Sequence, residues 1–160
     1  MNAPRRLDRS QIEAILPHRA PFLWLDEVTE LQFDASRGLG ETNPPPTIRT
    51  RTYLAPELEL FRGHYPQFAV LPGVIQLEIC FQAGAILLAH VAPPAPGEVP
   101  VVTRVDNVRF RQMLRPGMTA EAAVVLEERA GRAFRMTGVL TAEGKNAARV
   151  EFVCTTAPAG

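Results

Sequence analysis

In the last third of the chain, apolar and polar positions alternate. Over 132–142, Phe134, Met136 and Leu140 interleave with Arg135, Thr137 and Thr141; over 148–155, Val150, Phe152 and Cys154 interleave with Arg149, Glu151 and Thr155. A period of two marks strands with one buried face. Strands are therefore predicted over 99–111 (bent), 119–128, 132–142 and 148–155, with Ala130-Gly131 and Glu143-Gly144-Lys145 as turns. The stretch 74–90, VIQLEICFQAGAILLAH, has a different texture: it is apolar almost all round and ends before Pro93, Pro94 and Pro96. That pattern predicts one long buried helix. It is slightly short for a membrane span and carries Gln76, Glu78 and Gln82, so a core helix is expected. Upstream, Ser10 with Glu13 three residues later resembles a capping box, predicting a short helix over 11–16 that Pro17 stops. Strands are predicted over 22–31 and 48–54. Residues 1–9 are polar and expected to be loose, and 41–53, with its Pro44-Pro45-Pro46 run, is expected to be an insertion. One buried helix followed by a meander predicts a single α+β domain over 1–160, its curved antiparallel sheet wrapped round the helix.

Composition narrows the function. Hydrophobic residues make up 46% of 160, enough for a core, and seventeen basic residues balance seventeen acidic ones. That balance argues against a general nucleic-acid binder, which needs a cationic surplus. Cys80 and Cys154 sit in apolar runs and make no metal-ligand spacing with His18, His64 or His90, so two buried reduced thiols and no metal site are expected. No apolar stretch follows the N-terminal Arg pair, as a signal peptide would require. A soluble cytoplasmic protein is the expectation.

The chemistry concentrates in FRGHYPQFAVLPGVIQLEICFQ, residues 61–82. His64 falls in a loop and Glu78 about one and a half turns into the apolar helix. A carboxylate there is costly unless it is paired, neutral or functional, and burial favours the protonated acid. A neutral imidazole is the complementary base. Gln82, one turn after Glu78, is placed to orient the carboxyl group. The backbone N–H groups of Gly73 and Val74 open the helix, where a thioester oxygen gaining negative charge would be held. Acid, base and oxyanion donor are the parts that β-elimination of water needs: the α-proton must be removed and the poor hydroxyl leaving group protonated. On residue types alone, a surface histidine and a polar helix face account for the same positions.

Three ordered blocks resolve that ambiguity. LPHRAPFLWLDEV (16–28), GHYPQFAVLPGVIQLE (63–78) and VDNVRFRQMLRPG (105–117) together resemble the 3-hydroxyacyl-acyl-carrier-protein dehydratases, including the fourteen-residue spacing from His64 to Glu78. The resemblance implies a hot-dog fold, no cofactor, and removal of water from (3R)-3-hydroxyacyl chains on acyl-carrier protein. It also implies a homodimer, assembling in some members into hexamers, whose sites each take His64 from one subunit and Glu78 from the other, with the Gly73 N–H on the thioester carbonyl. His18 and Arg19, in the first block, are expected to be structural, and His90 a helix cap. Arg104, Arg109, Arg111 and Arg115 are a solvated face or a docking patch for the acidic carrier. The chain departs from the family at Ala20, Tyr65, Phe68-Ala69 and Cys80-Phe81, and Phe68 and Phe81 are expected to shape the acyl tunnel. A hot-dog thioesterase and a non-catalytic acyl-binding subunit are the alternatives.

Overall fold

The computed structural model describes residues 5–34, 36 and 44–160. Its elements are β1 (Arg5–Leu7), α1 (Arg9–Ile15), β2 (Glu27–Gln32), β3 (Thr47–Tyr53), α2 (Leu60–Gly63), α3 (Gly73–Val91), β4 (Glu98–Phe110), β5 (Thr119–Ala130), β6 (Ala133–Ala142) and β7 (Lys145–Pro158). The strands form one antiparallel sheet in the order β1-β2-β3-β5-β6-β7-β4. This is the hot-dog arrangement that the resemblance implies: the sheet wraps α3. The predicted alternation holds, since Ala120, Ala122, Val124 and Leu126 of β5, Phe134, Met136 and Leu140 of β6, and Val150, Phe152 and Cys154 of β7 are all buried. Against them α3 presents Ile79, Cys80, Ala83, Ile86 and Leu87. By length and composition α3 passes for a membrane span, but it is the core helix of this domain.

Helix and sheet approach closely through small residues. A Cβ on Gly138 of β6 would lie 2.9 Å from the Cβ of Cys80 and 3.1 Å from its Sγ. Both thiols are buried, and burial pushes each up to about 12, as the apolar sequence context predicts.

Several expectations are corrected. The segment 5–9 is not loose: Arg5 and Leu7 pair with Leu31 and Val28, and Arg9 begins α1; residues 1–4 lie outside the described set. The capping box belongs to Asp8 and Gln11 rather than Ser10 and Glu13. The Asp8 carboxylate accepts from the Gln11 N–H at 2.9 Å, and the Gln11 side-chain oxygen accepts from the Asp8 N–H at 2.9 Å. Hydrogen bonds from Ser10 and from the Gln11 amide hold the Asp8 carboxyl below the usual range. Glu13 pairs instead with Arg9 at 3.2 Å. The strand expected over 22–31 begins only at Glu27. Leu23, Trp24 and Leu25 are buried, and much of the local backbone is bonded by side chains rather than by a neighbouring strand: Arg9 donates to the carbonyls of Leu23 and Leu25, Gln82 bonds Phe22 O and Trp24 N, and the Leu23 N–H turns back to Arg19 O. Of the expected insertion 41–53, residues 41–43 are outside the described set and Thr47–Tyr53 is a regular strand of the sheet.

Candidate active site

α3 carries two clusters on opposite sides. Gln76 and Glu78 are two residues apart, hence about 200° apart round the helix, and each belongs to a different group of side chains.

The first cluster lines a cleft of about 680 Å³ and includes His64, Phe68, Gly73, Gln76, Phe110 and Met113. His64 ends α2, its own N–H donating to Leu60 O at 2.8 Å. Its ring Nδ1 lies 2.9 Å from the carbonyl oxygen of Val70. A carbonyl only accepts, so Nδ1 carries a proton, and in the neutral ring Nε2 is the nitrogen that keeps its lone pair. The loop is held by Leu71 N–H on Leu114 O at 2.7 Å, and by Tyr65, whose backbone takes a left-handed φ of 50° with its ring edge-on to His64 at 4.6 Å. Pro72 caps α3 by accepting from the N–H groups of Ile75 and Gln76. The N–H groups of Gly73 and Val74 meet no acceptor among the described residues, as the helix start predicts. A Cβ on Gly73 would lie 2.9 Å from the tip of the Phe110 ring, so a larger residue there would have to push that ring aside. Val74 is 71% exposed and turned out of the cleft. The Arg115 guanidinium stacks on the Phe68 ring at 4.3 Å, and Arg111 lines the cleft beside it. Arg104 turns instead to Asp106 at 2.6 Å.

The second cluster surrounds Glu78. Gln82 Nε2 donates to Glu78 Oε1 at 3.0 Å and to Phe22 O at 2.8 Å, while its Oε1 accepts from Trp24 N–H at 3.0 Å. The backbone partners fix which way the amide points, so Gln82 must donate to the carboxyl group. Sequence reasoning gave Gln82 this task and missed its neighbour: His18 Nε2 stands 3.6 Å from Glu78 Oε1, with its ring stacked on Phe22. The Pro-His-Arg block was the available signal, read as structural because nothing in the sequence says that 16–24 crosses α3 at Glu78. Phe81 meets Phe152 edge-on at 5.0 Å, on the sheet side of the helix, and does not line the cleft. His90 Nδ1 lies 2.9 Å from Ile86 O in the last turn, as a capping histidine does.

Within one chain, then, His64, Gly73 and Phe68 come together, as do Glu78 and Gln82, but the two groups face different ways. A family model, ApeI-like dehydratase, matches residues 40–150. The chain belongs to the ApeI-like dehydratase family. Among curated relatives of this dehydratase, the 3-hydroxyacyl-[acyl-carrier-protein] dehydratase FabZ of Tolumonas auensis is 35% identical over 155 residues, spanning 96% of this chain and 97% of the relative. Solved structures agree on the fold. The ApeI:P dehydratase heterocomplex of Xenorhabdus doucetiae superposes with a TM-score of 0.53 at 22% identity, over 68% of the dehydratase and 87% of that chain. The fluoroacetyl-CoA thioesterase FlK superposes with 0.62 at 14% identity, over 72% and 87%.

Proposed function

We propose that this chain is a cytoplasmic hydro-lyase that converts (3R)-3-hydroxyacyl chains on acyl-carrier protein into trans-2-enoyl thioesters, in fatty-acid or related acyl-chain synthesis, and that it acts as a homodimer. The observation that carries the reading is the division of the helix: a His64 ring anchored through Nδ1 and an open helix N-terminus on one side, an anchored carboxyl group on the other. The thioester carbonyl accepts from Gly73 N–H, which stabilises the enolate-like charge. His64 Nε2 takes the α-proton. Glu78 of a second copy gives its proton to the 3-hydroxyl, which leaves as water as the double bond forms. Gln82 occupies Oε1, leaving Oε2 to carry that proton.

The edge strand β4 supports pairing with a second copy there. It is thirteen residues long and exposes Val102, Val105 and Phe110, with Met113 exposed at the cleft and Val74 exposed outside it. Pairing edge to edge across a two-fold axis covers these side chains and presents each Glu78 to the other copy's His64. Arg111 and Arg115 at the cleft mouth supply positive charge for the acidic carrier.

The test is incubation with 3-hydroxyacyl thioesters, following enoyl absorbance and free thiol together. Enoyl product without thiol release is expected, with turnover falling about a hundredfold or more in His64→Ala and in Glu78→Gln. Thiol release would indicate a thioesterase, and neither signal a binding subunit.

A further inference from the structure

The cleft wall on the His64 side carries two amides that the elimination does not use. Gln76 of α3 is 3% exposed, and its Oε1 is fully buried and accepts from no described group. The Oε1 of Gln112, just after β4, is in the same condition. Both line the His64 cleft, whose other walls include Leu71, Phe110 and Met113. Buried polar atoms are almost always answered, and two unanswered amides converging from different elements on one apolar cleft point to a ligand group that answers them. A half turn about the last side-chain torsion exchanges the oxygen and the NH2, so each amide can accept from, or donate to, the cleft. A hydroxyl both donates and accepts. A methylene does neither, and packing one there leaves both amides desolvated.

We propose that Gln76 and Gln112 form a polar subsite for a second hydroxyl on the acyl chain, distinct from the 3-hydroxyl that is eliminated. Gln76 follows Gly73 by three residues on the same helix face, a little under one turn of about 5 Å. With the acyl chain taken to run along α3 from the Gly73 N–H, the second hydroxyl belongs a few carbons beyond the thioester, around C5 or C6. The subsite rests on the dehydratase reading and refines its substrate class: hydroxylated chains in preference to plain saturated ones.

The experiment compares kcat/KM for 3-hydroxyhexanoyl, 3,5-dihydroxyhexanoyl and 3,6-dihydroxyhexanoyl groups on acyl-carrier protein, in the wild type, Gln76→Leu and Gln112→Leu. The wild type should prefer one of the dihydroxy chains by about tenfold or more, and each leucine variant should erase or invert that ratio, as expected where a site built to bond a hydroxyl meets an analogue lacking it. If Gln76→Leu fails to fold, the more exposed Gln112→Leu carries the comparison. Conversion of the three chains with no preference for a dihydroxy one, or an unchanged ratio in the folded variants, overturns the subsite alone. No conversion of any of them overturns the dehydratase reading and the subsite with it.

Discussion

Gln82 has no freedom left: its amide is clamped between Phe22 O, Trp24 N–H and Glu78, so the direction of its bond to the carboxyl group follows from backbone chemistry. His18 is the looser partner, 3.6 Å from the same carboxyl oxygen, with its Nδ1 buried and unpartnered. The placement predicts that it positions Glu78. His18→Phe keeps the stacking on Phe22 and removes both ring nitrogens. The expected result is a fall in kcat of about tenfold, the equivalent of one weak polar interaction, with KM little changed and the melting temperature retained. Wild-type kcat in the folded variant would make the contact passive. His64 and Glu78 were legible in the sequence because three ordered blocks and the spacing between the two residues resemble one family; residue types alone left a surface histidine and a polar helix face as alternatives. His18, Gln76 and Gln112 were not, since their significance depends on which segment crosses which face of α3, and short-range pattern does not encode that.

At the scale of elements, α3 was legible because it is apolar almost all round and bounded by prolines, and β3, β5, β6 and β7 because their burial follows a period of two. Segments held by side chains were not. The 22–25 stretch looks like a strand by composition, yet Arg9 and Gln82 side chains take four of its backbone groups; Arg5–Leu7 looks like a polar tail, yet it pairs with β2. The departure at Cys80 also makes sense at this scale, since the larger side chain faces Gly138 of β6. Gly138→Ala places a methyl group 2.9 Å from Cys80 Cβ, and helix and sheet must separate to admit it. Overpacking of this kind costs about 1–3 kcal/mol, to be measured by denaturant unfolding. The paired variant Gly138→Ala with Cys80→Gly, which removes the Cβ that the methyl group meets, should recover part of the loss, and additive losses would contradict the close approach as its cause.

For the whole molecule, one chain carries the His64 and Glu78 clusters facing apart, and a long sheet edge with apolar side chains beside the first. On the proposed reading, a two-fold dimer would complete two sites at once where a monomer would complete none. Mixing subunits examines this most directly. His64→Ala and Glu78→Gln proteins, each inactive alone, are combined under conditions where subunit exchange is independently verified. Each mixed dimer then holds one site with an intact His64 and an intact Glu78, so an equal mixture should regain roughly a quarter of wild-type dehydratase activity. No recovery despite verified exchange would contradict the account, because His64 and Glu78 would then have to act within a single subunit.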